Sequence, residues 1–388
     1  MEEDTKILFI HNTITWYRIP LFNTLSRLDN RKFKFLFTKV NLGETQYKIK
    51  IDYEKQLDVD YIVLNKKNFY RSFIKILFKY DYDVIIIPVL DSLSECIDFF
   101  LAFFISKLRR KKTLYFWERW DPDKYYSFKD FLKKSIKKLI FKKFVTKVNA
   151  YIVPGTKTKE YFLKNGANER KIFLAPDASE LKFQNLTINV DIKRKFSINN
   201  DYKVVLYFGR LMESKGLDYL IKAFFKLKNK YNNVALLICG DGEFRKYCEI
   251  LCKELKLENV FFCGRIDPSI RISFFRQCDV FVLPSITYKG QIEAWGLTVN
   301  EVMECGKPII VTNAVGCGDD LVKNYKNGFI VKERNENEIF EAMYKILIDD
   351  NLRANMCKNS LEIIKNYTYL NMANGFNKAI EYVLDNEI

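Results

Sequence analysis

The strongest constraint on the fold is the alternation of apolar runs and breaks along residues 279–311. Residues 280–283 are apolar and of strand length, and Pro284 ends this run. A polar loop follows, then a helical segment that ends near Cys305, and then a second apolar run at residues 309–311. The order strand, loop, helix, strand predicts one repeat of a parallel α/β sheet.

Two carboxylates in this stretch, Glu293 and Glu301, are separated by seven residues. Glu293 is expected in the loop before the helix and Glu301 in its second turn, with Gly296 between them. A glycine at a helix N-terminus lets an anion approach backbone N–H groups, where the helix dipole favours phosphate. This layout suits a ligand with hydroxyls on both sides of a phosphate, such as a nucleotide-sugar. The alternative is a helix-terminal carboxylate beside a solvated glutamate.

Size and composition predict a globular chain of about two domains, because it has 388 residues, of which 48% are hydrophobic. No apolar run approaches the roughly 18 residues that span a bilayer. The acidic N-terminus, MEEDTKILFI, lacks the basic start of a signal peptide, so a cytoplasmic location is expected. The nine cysteines form no C-x-x-C pair, which favours reduced thiols over disulfides or zinc ligands.

The positive charge is unevenly distributed. The chain has a net charge of +16, and residues 1–190 hold 36 Lys+Arg against 22 Asp+Glu. The remaining residues hold 28 against 26. The first half therefore carries almost all of the excess, which predicts an anionic partner for it.

Residues 128–148 concentrate this charge on one predicted helix. Apolar residues recur there at a helical period, and the opposite face has eight lysines against one aspartate. A solvated face normally mixes its signs, so we favour contact with anionic lipid headgroups. One alternative is a sheet-covering helix with a solvated basic face. The other is nucleic acid, for which arginine is sparse and no motif is present.

The first half alternates apolar runs with helical segments, which predicts a doubly wound sheet. A helix is expected at 16–27, and the strand candidates are residues 6–10, 33–37, 61–64, 84–88, 114–117 and 151–153. His11, the only histidine, is expected at the carboxyl end of the first strand, where ligands bind in open parallel sheets. A structural role is the alternative. We also interpret as structural the two D-x-D triplets, Asp81-Tyr-Asp83 and Asp121-Pro-Asp123, although such triplets hold divalent metal ions in some sugar transferases.

The second half repeats the strand–helix pattern after an irregular stretch around residues 185–200, which predicts a linker. A turn at residues 209–216 follows the strand 204–208 and precedes a helix. It carries Arg210 and Lys215. A forked guanidinium and an ammonium group at such a turn suit a diphosphate.

The second half resembles the retaining glycosyltransferases of family 4, which have the two-domain GT-B fold. The resemblance rests on ordered motifs across residues 203–331, namely FGRLMESKGLDYLIKAF, LLICGDGE, FFCGRI, DVFVLPS, EAWGLTVNEVMECGKPIIVT and NGFIV. It implies an α/β chain with two Rossmann-like, doubly wound parallel-sheet domains that face a cleft. The domains are expected at 1–185 and 202–366, with a linker at 186–201 and a C-terminal helix at 367–388 that crosses back to the first domain.

The resemblance also implies roles for individual residues. Glu293 would contact the donor sugar and Glu301 the ribose, while Arg210 and Lys215 hold the diphosphate. The remaining donor-site residues are Gly209 and the stretch Gly296, Leu297 and Thr298, together with Arg265 and Ile266 near the base.

The first half departs from the family pattern in three places. One is Ala175-Pro-Asp177, where the family often has Pro-Asn-Gly. Many members carry a glycine-rich loop after the first strand, where this chain has HNTITWYRIPLF. Many also carry a histidine after a later strand, where this chain has FWERW at residues 116–120. Either His11 or Glu118 fills that catalytic role, or the role is absent.

These observations predict a cytoplasmic, membrane-associated glycosyltransferase in cell-surface glycan synthesis. It would move a sugar from a nucleotide-sugar to a lipid-linked or polysaccharide hydroxyl with retention. The expected partners are the donor, the acceptor and an anionic membrane surface, without nucleic acid. No cofactor or metal is expected, because cations and a helix N-terminus stabilise the leaving group. The alternatives are an inverting transferase with His11 as base and a non-catalytic nucleotide-sugar-binding module.

Overall fold

The computed structural model describes residues 4–38, 53–64, 68–87, 93–120, 135, 141–181 and 188–386. Two parallel sheets organise these residues, one from each half of the chain. Helices connect successive strands in both halves. The predicted fold class, two Rossmann-like doubly wound domains, is confirmed.

The first sheet has seven strands in the order β3-β2-β1-β4-β5-β6-β7, and all neighbouring strands are parallel. The strands are β1 Thr5–His11, β2 Arg31–Phe37, β3 Tyr61–Val63, β4 Val84–Ile87, β5 Lys112–Phe116, β6 Ala150–Val153 and β7 Ile172–Leu174. Strands β4 and β6 are apolar and buried along their whole length, as strands covered on both faces must be. The helices of this half are α1 Ile19–Leu25, α2 Phe69–Lys79, α3 Leu93–Leu108 and α4 Thr156–Lys164.

The second sheet has six parallel strands in the order β10-β9-β8-β11-β12-β13. The strands are β8 Lys203–Phe208, β9 Val234–Cys239, β10 Val260–Gly264, β11 Val280–Leu283, β12 Ile309–Thr312 and β13 Gly328–Val331. The helices are α5 Ile192–Lys195, α6 Leu217–Lys230, α7 Arg245–Glu254, α8 Arg271–Gln277, α9 Leu297–Glu304, α10 Gly318–Leu321, α11 Glu336–Ile348, α12 Asp350–Ile364 and α13 Tyr369–Asp385.

The last helix, α13, returns to the first sheet and packs against α1, β5, β6 and β7. Its Phe376 ring centroid lies 5.0 Å from that of Phe116 and 5.7 Å from that of Phe9. Phe376 is fully buried. The C-terminal helix therefore belongs to the hydrophobic core of the first sheet, although it is almost 200 residues beyond the last strand of that sheet.

The structure differs from the sequence predictions at several places. The helix predicted at 16–27 begins only at Ile19, because Pro20 favours the first helical turn and residues 16–18 form a preceding turn. Strand β7, whose three residues are partly buried or exposed, was not predicted. Most of the basic helix predicted at 128–148 lies outside the described residues. Within this range, residues 135 and 141–145 are described as helical. Asp121-Pro-Asp123 lies outside the described residues entirely.

Three further observations concern the remaining predictions. None of the nine cysteines, all of which lie among the described residues, forms a disulfide, and five of them are buried. The Asp83 carboxylate accepts a hydrogen bond from the Lys6 amide at 2.9 Å, which joins β4 to β1 and supports a structural role for the first D-x-D triplet. None of the helices in the described ranges combines the length and apolar character that a membrane span requires.

We predict that Phe376→Ala lowers the free energy of unfolding by about 3–5 kcal/mol, because it opens a cavity among the aromatic rings of the first core. Leu370→Ala on the same helix is the control, since Leu370 is 59% exposed and its loss should change the free energy by less than about 0.5 kcal/mol. Urea unfolding followed by tryptophan fluorescence measures both variants. Equal effects of the two substitutions would contradict the placement of α13 in this core.

Candidate active site

The predicted donor residues lie mainly on the loops that follow β8 and β11, at the carboxyl edge of the second sheet. These two strands are neighbours, and the strand order reverses between them. In open parallel sheets the crevice at this reversal is the usual ligand position. The same edge carries the loop that follows β10.

The turn after β8 is held against the end of β11. The Ile286 amide donates a hydrogen bond to the Ser214 carbonyl oxygen at 2.8 Å. Gly216 ends the turn with a φ of +61°, and a Cβ there would lie 2.2 Å from the Pro284 carbonyl oxygen. Glycine meets both requirements, and the close approach brings Lys215 beside the loop after β11.

Lys215 Nζ forms an ion pair with Glu293 Oε2, which also accepts a hydrogen bond from Ser285 Oγ at 3.1 Å. The Lys215 and Glu293 side chains are 18% and 15% exposed. The pair is therefore partly buried but accessible to a ligand. Because a lysine ammonium has three N–H donors, Lys215 can bind Glu293 and a second anionic group at once. The sequence predicted both residues as part of the site, but it did not predict their contact.

Both halves of the chain hold the Glu293 backbone. From the second half, the Gly316 amide donates to the Glu293 carbonyl oxygen at 2.9 Å. From the first half, Trp120 Nε1 donates to the same oxygen at 3.3 Å, and Arg119 Nη2 donates to the Gly290 carbonyl oxygen at 3.2 Å. The loop that carries Glu293 is thus positioned by the interface between the two halves.

The N-terminus of α9 follows this loop directly. Gly296 precedes the helix with a φ of +105°, in the left-handed region that glycine tolerates. The amides of Leu297 and Thr298 belong to the first turn, so they have no acceptor within the helix. They provide N–H donors at the positive end of the helix dipole, near the Lys215–Glu293 pair.

Glu301 lies on α9 as predicted and is only 3% exposed. Its Oε1 accepts hydrogen bonds from Arg271 Nη2 and, at 3.0 Å, from Ser179 Oγ. The Arg271 guanidinium lies 4.8 Å from the ring centroid of Trp16. Sequence reasoning missed Arg271 and Ser179, because nothing local to either residue signals a partner on α9.

The other predicted donor residues lie along the same edge. Arg210 is exposed and Gly209 partly buried at the end of β8, where Tyr207 donates from its hydroxyl to the Arg210 carbonyl oxygen at 2.7 Å. Arg265 is exposed and Ile266 partly buried after β10. Among the described residues, no group of three His, Cys, Asp or Glu side chains forms a candidate metal site.

His11 lies at the carboxyl end of β1, as predicted, but its ring is 8% exposed. Its Nδ1 is 2.8 Å from the Thr13 carbonyl oxygen. Phe9, Phe22 and Phe37 surround the ring in edge-to-face contacts. This environment favours the structural alternative for His11, because aromatic rings cover it and a backbone group binds its nitrogen.

Glu118, the other catalytic candidate of the first half, forms an ion pair with Arg18. Arg18 is buried and also binds Asp177 Oδ1 at 2.8 Å. The Asp177 carbonyl oxygen accepts a hydrogen bond from Asn300 Nδ2 at 2.8 Å, and Asn300 is adjacent to Glu301 on α9. The chain of contacts from Glu118 to α9 joins the two halves. Sequence analysis missed Arg18, which belongs to no motif, and assigned no role to Asn300, although Asn300 lies within the motif that begins at Glu293.

A second contact between the halves lies at the N-terminus of α4. Asp320 Oδ1 accepts from Thr156 Oγ1 at 2.8 Å, and Lys157 Nζ pairs with Asp319 Oδ2 at 3.0 Å. Burial raises the pKa of the Asp320 carboxyl above its ordinary value, although the hydrogen bonds from Thr156 lower it. Gly155 permits this contact, because a Cβ there would lie 2.4 Å from the Asp320 carboxylate and 2.6 Å from the Trp295 ring.

Comparison with known proteins identifies relatives of this chain. Residues 189–362 match the family described as glycosyl transferases group 1. A glycosyltransferase of Methanocaldococcus jannaschii is 30% identical over 186 residues, which cover 47% of this chain and 46% of that protein. An N,N'-diacetylbacillosaminyl-diphospho-undecaprenol alpha-1,3-N-acetylgalactosaminyltransferase of Campylobacter jejuni is 28% identical over 264 residues, or 66% of this chain and 65% of that enzyme. The chain thus spans about half to two thirds of the length of these relatives.

Solved structures match nearly the whole chain. The crystal structure of Anabaena HepE in complex with UDP has a TM-score of 0.75 and 16% sequence identity, and the match covers 97% of this chain and 100% of HepE. At this identity the likeness concerns the fold. Residues 189–362 therefore match a glycosyl transferases group 1 domain, and the chain has the GT-B fold.

Proposed function

We propose that this chain transfers a sugar, with retention, from a nucleotide-sugar to a hydroxyl group of a lipid-linked or polysaccharide acceptor. The observation that carries the proposal is the Lys215–Glu293 pair, which is partly exposed where the strand order of the second sheet reverses. The group 1 family supports it, as does the Campylobacter relative, whose name includes a diphospho-undecaprenol compound.

In the proposed donor complex the diphosphate lies between the cations of the β8 turn and the first turn of α9. Lys215 and Arg210 bind its oxygens, and the amides of Leu297 and Thr298 donate to it. These groups stabilise the negative charge that builds up on the leaving nucleoside diphosphate, so no metal requirement is expected. The nucleobase of the donor lies towards Arg265.

The two glutamates act on different parts of the donor. Glu293 orients the sugar and stabilises the positive charge that develops on its ring as the glycosidic bond breaks. Glu301 accepts a ribose hydroxyl. A carboxylate has about four lone-pair sites, so Glu301 can do this while Arg271 and Ser179 hold its orientation.

We assign the acceptor to the first domain, on the side of the first sheet. We also propose the domain division expected from the sequence, with a first domain at 1–185, a linker at 186–201, a second domain at 202–366 and a C-terminal helix at 367–388. The enzyme would work in the cytoplasm, at the inner face of the membrane. The inverting alternative needs His11 as an accessible base, and the burial of its ring argues against that role. The non-catalytic alternative predicts binding of the donor without release of nucleoside diphosphate.

The first test concerns Lys215. We predict that Lys215→Ala weakens binding of a nucleoside diphosphate at least tenfold, or about 1.4 kcal/mol, but changes binding of the nucleoside less than twofold. The ligand is whichever of UDP, GDP and ADP raises the melting temperature most. Calorimetry gives both affinities, and Lys222→Ala on α6, whose lysine is 40% exposed, is the control for loss of one charge. An equal loss for both ligands would show that Lys215 does not bind phosphate.

The second test concerns Glu293. Glu293→Gln keeps the shape of the side chain but removes its charge, so we expect the turnover of the sugar donor to fall about 100-fold. The affinity for the nucleoside diphosphate should change less than about threefold, because that ligand lacks the sugar. Release of nucleoside diphosphate measures turnover, with Glu362→Gln on α12 as the control, since Glu362 is 66% exposed. Turnover at the wild-type rate would refute the proposed role.

A further inference from the structure

Two neighbouring helices of the first half, α2 and α3, expose large apolar side chains on a surface that we call the α2–α3 face. On α3, Ile97 is 44% exposed, Phe104 58% and Leu108 73%. On α2, Tyr70 is 41% exposed and Phe78 46%. The two helices pack against each other, so these side chains belong to one region of the surface. Exposed apolar side chains concentrated in this way indicate an interaction surface.

Helix α3 is apolar on both of its sides. Its residues 97, 101, 104 and 108 recur at intervals of three and four, opposite the buried row of Phe99, Ala102 and Phe103. Residues 99–106 include no charged side chain. A helix that is apolar all round normally lies in a protein interior or in lipid, whereas α3 lies at the surface. Its outer row therefore requires an apolar partner.

Among the described residues, the exposed charged side chains on these two helices are cationic. Helix α2 exposes Arg71, Lys75 and Lys79, and it contains no acidic residue. Arg71, Lys75 and Phe78 have the spacing i, i+4, i+7, which places the two cations and the phenyl ring on one side of the helix. Helix α3 exposes Lys107 in its last turn.

The adjoining segment 141–147 extends the same combination. The Phe144 ring centroid lies 4.8 Å from that of Phe100 on α3, and Lys143 and Lys147 are exposed. The acidic residues nearby do not neutralise this surface. Asp98 on α3 is buried, and Asp81, which follows α2, pairs with Lys6 at 2.7 Å.

We propose that the α2–α3 face docks on an anionic lipid bilayer. The apolar row inserts between lipid headgroups, and the surrounding lysines and arginines contact the phosphates while their aliphatic stems cover the rim. An apolar surface with a rim of one charge sign matches this partner in both respects. Nucleic acid would satisfy the charges but leave the apolar row in water. A protein partner would need an apolar surface ringed by acidic residues.

The proposed docking adds a membrane partner to the proposed function. Only its link to the acceptor rests on that function. Only five residues separate the end of β4 from the start of α3, so the first turn of α3 lies near the carboxyl edge of the first sheet, which we assigned to the acceptor. A bilayer on this face would bring a lipid-linked hydroxyl close to that edge. The docking itself needs neither a donor nor turnover.

The test is co-sedimentation of the purified full chain with vesicles of phosphatidylcholine alone or mixed with phosphatidylglycerol. We expect binding only to the mixed vesicles, and weaker binding as salt is raised. The double variant Phe104→Ser/Leu108→Ser should bind at least tenfold more weakly at every salt concentration. Leu361→Ser/Leu370→Ser, which changes two exposed leucines of α12 and α13, should bind like wild type. Lys75→Gln/Lys79→Gln should lose binding mainly at low salt.

Three results would overturn the proposal. The first is equal sedimentation of the two serine double variants. The second is tight binding of duplex DNA or RNA without binding of mixed vesicles. The third is a wild-type dimer that Phe104→Ser/Leu108→Ser makes monomeric, again without vesicle binding. Affinity for the nucleoside diphosphate in the absence of lipid should be the same in all variants, because none of them changes the proposed donor site. A wild-type chain that binds mixed vesicles but binds no nucleoside diphosphate would refute the proposed function and leave the docking intact.

Discussion

The interface between the two halves depends on a buried aspartate with two different roles. The Asp177 carboxylate binds Arg18, which is its buried cationic partner, while Glu118 pairs with the same guanidinium from a more exposed position. The Asp177 carbonyl oxygen accepts from Asn300, on the helix whose N-terminus is proposed to bind the donor phosphates. Loss of one partner from such a buried pair typically costs about 3–5 kcal/mol, because the other charge is left uncompensated. The position of α9 relative to the first sheet therefore rests on interactions that are expensive to break.

One contact within the second half and one contact between the halves position the proposed donor residues. Gly216 lets the β8 turn approach the end of β11, so Lys215 meets Glu293. Trp120, from the first half, donates to the Glu293 carbonyl oxygen. A change in the distance between the two halves would therefore change the position of Glu293, the proposed catalytic carboxylate. This is a physical route by which an acceptor bound to the first half can influence chemistry in the second.

The sequence predicted most of the fold because buried parallel strands are continuous apolar runs between turns, as at residues 280–283. It did not predict β7, a three-residue strand with no fully buried residue, or the late start of α1. The site was predicted as a set of residues on loops, but not as contacts. Arg271 and Ser179 lie 30 and 122 residues from Glu301, and only the folded chain brings them together. The sequence also does not show that Arg18 is buried, because most arginines lie at the surface.

The central claim is that the nucleotide-sugar binds where Lys215, Glu293 and the first turn of α9 converge. A crystal structure with a bound nucleoside diphosphate tests it most directly. The claim predicts a phosphate oxygen within about 3 Å of Lys215 Nζ and of an amide nitrogen at residue 297 or 298, with a ribose hydroxyl at Glu301. A nucleotide bound elsewhere, with Lys215 still paired to Glu293 and no phosphate at α9, would contradict it.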